Sequence, residues 1–141
     1  MSTQKTIQEK KPVPDFDEFL KVLRCEVPSR PVIFEFFMNG TIYQSLTGFE
    51  GPWPEDMLEQ YKIIIGAFHA AGYDYTNSMI SFEFVKPDKH QKESLSLNDG
   101  SMITDWDSFE KYQWPDVVNW DYSLLDSLKL ELPDGMKLMN C

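Results

Sequence analysis

Three features of the 141-residue sequence predict an α/β chain, the amino-terminal part of a (β/α)8 barrel with a helix ahead of it and a small β-hairpin inserted. The first is the run Arg30-Pro31-Val32-Ile33-Phe34-Glu35-Phe36-Phe37, short, β-branched and aromatic, opened by proline and closed by Met38-Asn39-Gly40. An apolar run of this length suits a strand buried on both faces, as in a parallel sheet. The second is the alternation that follows, strand then helix then strand, the right-handed parallel unit. The third is the end of the sequence, where Leu132-Pro133-Asp134-Gly135 turns out of a helix and Met136 to Cys141 begins a strand with no later partner. A barrel of this kind takes about 250 residues, and three of its eight strands are expected here.

The elements follow in order. Met1 to Pro14 is polar and has no apolar period, so residues 1–14 read as a flexible tail. Asp15, with Glu18 three residues on, reads as a capping box, and Phe16, Phe19, Leu20 and Leu23 recur at helical spacing until Pro28. Ser29 to Pro31 turns into the first strand. Thr41 to Leu46 gives a helical turn or two, and Gly48 to Pro54 is a loop. A longer helix over 54–71 is marked by Pro54 in its first turn, by Glu55 and Asp56 near its positive end, by the stripe Met57, Tyr61, Ile64, Ile65 and Phe68, and by Gly72 as its stop. Tyr73 to Phe84 is rich in β-favouring residues and reads as the second strand.

Leu95 and Leu97 alternate with serines before Asn98-Asp99-Gly100, so Ser94 to Thr104 reads as the hairpin. Thr104 with Asp107 caps a short helix through Tyr112, ended by Trp114-Pro115. Leu124, Leu125 and Leu128 mark a helix over 121–130.

Composition narrows the function. With 42% hydrophobic and 14% aromatic residues the chain can build one real core. A net charge of -10 disfavours nucleic acid and anionic membrane surfaces as partners. Cys25 and Cys141 stand in no metal or redox spacing, no apolar leader follows Met1, and no run approaches the roughly 20 apolar residues of a membrane span; a reducing cytoplasm is the expectation.

Several segments taken together carry a resemblance. Phe19-Leu20-Lys21-Val22-Leu23-Arg24 leading to Pro28-Ser29-Arg30-Pro31-Val32, then Ala70-Ala71-Gly72-Tyr73-Asp74, then Thr104-Asp105-Trp106-Asp107-Ser108-Phe109-Glu110-Lys111-Tyr112-Gln113-Trp114-Pro115, and finally Leu132-Pro133-Asp134-Gly135-Met136 resemble, in order and spacing, the opening of the uroporphyrinogen decarboxylase superfamily. The resemblance covers most of residues 16–141. It implies a barrel domain beginning at Asp15, of which 15–141 is the amino-terminal portion. It also implies one of two activities: cofactor-independent decarboxylation of tetrapyrrole acetates, or methyl transfer to or from a corrinoid or thiol, often with zinc.

The true decarboxylases carry a Met-Arg-Gln-Ala-Gly-Arg motif at the first strand, whose arginines hold substrate carboxylates. Here Phe36 and Gly40 stand where those arginines would be. A polycarboxylate needs guanidinium forks, so the resemblance leans toward the methyltransferase or an uncharacterised branch, with a small-molecule or corrinoid-protein substrate. The true tetrapyrrole decarboxylase is the first alternative. Zinc and a corrinoid would belong to the complete enzyme, with no cofactor held within this chain and no metal ligand among its residues.

Barrel chemistry sits at the carboxyl ends of the strands. Glu35 and Glu83 are therefore the candidate catalytic carboxylates, and Phe36, Asn39 and Ser81 the candidate substrate contacts. Each has a plainer reading: Glu35 pairs with Arg30 or a lysine, Asn39 is a turn residue, and Ser81 is a neutral strand position. His69 complements its helix's dipole and His90 is solvated. Trp53, Trp106, Trp114 and Trp120, interleaved with Asp and Tyr, are either loop packing or an aromatic platform, and the second option gives the other alternative: a non-catalytic acidic module that binds a protein or a glycan.

Overall fold

The computed structural model describes residues 13–82, 84 and 101–140, and among them it is mixed α/β, with five helices and one two-stranded parallel sheet. The chain divides into two compact units. The first takes residues up to Ile80 together with those from Tyr122 onward, and the second spans Ser81–Asp121.

The first unit begins where the capping signal puts it. Helix α1, Phe16–Leu23, is N-capped by Asp15, whose carboxylate accepts the Asp17 N–H at 3.1 Å. Pro14, which the sequence puts in the tail, is buried. Glu18 does not close a capping box. Its carboxylate turns inward, accepting from Lys21 Nζ at 2.6 Å and from the Ser29 N–H at 2.5 Å, and so ties the helix to the turn that follows it.

Those two bonds, the one to Lys21 first, hold the Glu18 carboxyl below its ordinary range. A carboxylate lowered on folding adds stability that is present above its unfolded pKa and is lost as pH falls through the folded one. Stability measured by urea unfolding is therefore expected to decline on acidification below the ordinary carboxylate range, and to decline less in Glu18→Gln. Parallel acid profiles for the two proteins would reject this.

Helix α2, Gly40–Thr47, starts at the Asn39 cap, and helix α3, Met57–Ala70, starts at Asp56, which accepts the Glu59 N–H at 3.0 Å. The acceptor thus moves the start of α3 past Pro54, and Gly72 ends the helix at a φ of +86°. A Cβ on Gly66 would lie 3.3 Å from Thr47 Cγ2, so glycine there lets α2 and α3 approach closely.

Strand β1, Tyr75–Ser78, pairs in parallel with β2, Lys137–Asn140, from Tyr75↔Lys137 to Ser78↔Asn140. Between them in sequence lies helix α5, Ser123–Leu130, which Lys62 joins to α3 by reaching both Glu59 and Glu131. The core is Phe19, Tyr43, Ile65, Ala67, Phe68, Tyr75, Leu128 and Met136. Burying large side chains such as Phe68 and Leu128 contributes about 1.5–3 kcal/mol each, and both are fully enclosed.

The first predicted strand is corrected. Residues 31–37 form no strand, and Ile33, Phe34, Phe36 and Phe37 are all exposed. The physical reason lies in β1: Tyr75 and Asn77 send side chains to the main chain of Glu35 and Phe36, which occupies the groups that a backbone ladder would use. The second strand is also shorter than the 73–84 predicted, since the Met79 N–H leaves the ladder for Tyr61 Oη at 3.1 Å.

In the second unit, helix α4, Trp106–Lys111, is capped one residue later than expected, by Asp105, in a reciprocal box with Ser108. Phe82 packs edge-on against Trp120 at 5.0 Å. Residues 94–100 of the expected hairpin and 1–12 of the expected tail lie outside the described residues; 101–104 form no strand.

Candidate functional site

The two ends of the parallel pair differ in chemistry. At the amino ends, α1 is fastened to both strands' approaches: the Asp15 N–H donates to Asp74 Oδ1 at 2.7 Å and the Phe16 N–H to the Gly135 carbonyl at 3.1 Å. Arg30 Nη2 pairs there with Asp74, which is 1% exposed.

Along β1 toward its carboxyl end the groups are uncharged and polar. Strand β1 carries three consecutive buried polar residues, Thr76, Asn77 and Ser78. Ser78 Oγ donates to Asn140 Oδ1 at 2.7 Å, joining the last residues of both strands. Asn77 Nδ2 donates to the Glu35 carbonyl at 3.0 Å and to that of Phe36 at 2.5 Å. Tyr75 Oη accepts the Glu35 N–H at 2.6 Å and donates to the Glu35 carbonyl at 2.7 Å. Among the described residues, Thr76 Oγ1 and Asn77 Oδ1 are buried without a hydrogen-bond partner, an arrangement proteins rarely keep without a use.

Of the five residues picked from sequence, the structure brings two together here. Glu35 and Phe36 meet β1 through their main chains, and the Glu35 side chain is exposed, its Oε1 accepting the neighbouring Phe36 N–H at 2.9 Å. Arg30 is spent on Asp74 rather than on Glu35. The Glu35 charge is still felt locally, where it adds to the burial that pushes the Tyr43 and Tyr73 phenols up. Phe36 is 53% exposed and meets Phe34 edge-on. Asn39 is accounted for as the α2 cap, accepting the Ile42 N–H at 3.0 Å, so its carboxamide oxygen is already taken. Ser81 is an exposed residue of the second unit, and Glu83 lies outside the described residues.

Thr76, Asn77, Ser78 and Asn140 were not picked from sequence. Their signal is the polar triplet after Tyr75, out of keeping with a parallel strand buried on both faces. Asn77→Ala is expected to lower stability by about 1–2 kcal/mol, because it strips a donor from two carbonyls in a part-buried site. Urea unfolding checks this, and a variant as stable as the parent would remove Asn77 from the account.

Chemically the site offers hydroxyls, carboxamides and one nearby carboxylate. Of the chain's two arginines, Arg30 belongs to the other end, held by Asp74, and Arg24 is the exposed C-cap residue of α1. Among the described residues no three His, Cys, Asp or Glu side chains gather to hold a metal. No described helix is long and apolar enough to cross a membrane.

A groove of about 700 Å³ is lined by residues of α5, β2 and the turn between them, Leu125, Leu132, Met136 and Leu138 among them. Among the described residues β2 pairs with β1 alone. No family model, no curated protein and no solved structure matches the chain.

Proposed function

We propose that residues 15–141 are the amino-terminal portion of a uroporphyrinogen decarboxylase-like (β/α)8 enzyme whose reaction is methyl transfer, or a related uncharacterised activity, rather than tetrapyrrole decarboxylation. The parallel register of β1 and β2, with the buried polar run Thr76-Asn77-Ser78 along β1 and the Ser78–Asn140 bond where both strands end, carries this reading; the carboxyl end is where barrel enzymes do their chemistry. The edge of β2 left unpaired among the described residues, and the groove lined by α5 and β2, support further strands beyond it.

The choice of branch rests on charge. Phe36 and Gly40 occupy the positions of substrate-gripping arginines, and of the chain's two arginines Arg30 is engaged at the opposite end of the strands. Glu35 is the candidate catalytic carboxylate, with Asn77 and Tyr75 fixing the backbone that presents it. A free, exposed Cys25 thiol fits a cytoplasmic setting.

The test expresses the product of the whole reading frame that encodes this chain. It is assayed for methyl exchange between methylcobalamin and a thiol, with and without added zinc, and for decarboxylation of uroporphyrinogen. Methyl exchange that falls at least tenfold in Glu35→Gln supports the proposal. Decarboxylation of uroporphyrinogen by the parent protein would overturn the branch, and unchanged activity in Glu35→Gln would remove that residue's role.

A further inference from the structure

The second unit presents a surface that the proposed chemistry does not use. Trp106 is 72% exposed, Trp114 52% and Phe109 39%. Burial would ordinarily claim all three. They are not scattered: the Trp106 and Phe109 rings stack at 5.1 Å with an interplanar angle of 17°, and Phe109 meets Trp114 edge-on at 5.2 Å, so the three form one continuous aromatic surface.

The surface is held in shape. The Asp105–Ser108 box fixes the start of α4, and Trp106 Nε1 donates to Glu110 Oε1 at 3.0 Å, which locks the indole and sets a carboxylate against its edge. With Phe109 against one face of Trp106, the ring's exposure leaves its other face to solvent.

Charge decides what such a surface fits. Residues 101–121 contain Asp105, Asp107, Glu110, Asp116 and Asp121 against Lys111 alone, a net charge of -4, and Lys111 is bound to Asp107 at 2.6 Å. An aromatic face in a negative field attracts cations, and the planar, weakly hydrated guanidinium both stacks on indole and forks onto a carboxylate. Anionic lipid and nucleic acid are repelled by the same field. A second copy is disfavoured too, since each chain carries -10.

We propose that Trp106, Phe109 and Trp114, with Glu110, form a docking surface for an arginine-bearing basic segment of a partner protein. It stands independently of the activity proposed above.

The test titrates the full chain with a short peptide of alternating arginine and glycine, followed by tryptophan fluorescence, with the same peptide bearing citrulline as the uncharged control. The arginine peptide is expected to bind, and to bind more weakly as salt is raised. Trp106→Leu, which keeps apolar bulk and removes the indole, is expected to weaken binding about fivefold. Glu110→Gln, which keeps an acceptor for Trp106 Nε1, is expected to weaken it about threefold. Both positions are exposed, so the fold should survive each change. Equal binding of the citrulline peptide, undiminished binding by Trp106→Leu, or no binding of the arginine peptide would each overturn the proposal.

Discussion

Gly135→Ala is expected to destabilise the chain more than any other single methyl addition, by about 3–5 kcal/mol. Two causes act together at this position. Gly135 has a φ of +80°, in the left-handed region where a side chain adds about 1–3 kcal/mol of strain. A Cβ would also be driven into the Pro14 carbonyl, a backbone group that cannot swing aside as a side-chain tip can; overpacking of this kind costs a further 1–3 kcal/mol or so. Relief requires moving residues 14–16, and with them the Phe16 N–H that bonds the Gly135 carbonyl and the Asp15 N–H that bonds Asp74.

Two other glycines separate these causes. Gly72 has a φ of +86° and open space around its Cβ position, so Gly72→Ala should lose only the strain, about 1 kcal/mol. Gly40 opens α2 with a conformation open to any residue and nothing within 4 Å, so Gly40→Ala should be neutral or mildly stabilising. Urea unfolding of the three variants gives the order directly. If Gly135→Ala lost no more than Gly72→Ala, the close approach of residue 14 to the β2 turn would be wrong.

How much of this was legible in the sequence depends on range. Helices were readable because their signals are local: Asp15 and Asp56 cap within three residues, and the stripe on α3 ends at Gly72. Even there, acceptor geometry rather than residue type set the boundary, since Pro54 marked a start that the Asp56 carboxylate moved to Met57. The run 30–37 was misread as a buried strand because a continuous apolar stretch is what such a strand looks like in isolation. Nothing within it says that Tyr75 and Asn77, some 40 residues later, bond to its main chain through their side chains. The candidate site shows the same division. Glu35 stood out as a lone charge in an apolar run, whereas Asn140 and Ser78 matter only because the parallel register sets them side by side. The polar triplet Thr76-Asn77-Ser78 was visible, but in an expected strand of twelve residues it was averaged away by its aromatic neighbours.

Arg30→Met is expected to cost about 2–3 kcal/mol at neutral pH. The Arg30–Asp74 pair joins the turn ahead of residues 31–37 to the start of β1, and its two members are unequally placed: the arginine side chain is 36% exposed and the aspartate side chain 1%. Losing the arginine leaves a buried carboxylate with the Asp15 N–H as its one remaining partner in the bonds described here. A fully buried pair broken in this way loses about 3–5 kcal/mol, and the lower figure allows for the solvent that already reaches Arg30. Asp74→Asn tests the mechanism from the other side, because the carboxamide oxygen can still accept from Asp15 while the buried charge is gone. The double variant Arg30→Met/Asp74→Asn should therefore be more stable than Arg30→Met alone, by about 1 kcal/mol or more, since the uncompensated charge rather than the lost contact dominates the loss. A double variant that simply added the two single losses would show that the pair acts through packing, and an Arg30→Met protein within about 0.5 kcal/mol of the parent would show that the pair is a surface contact of little consequence.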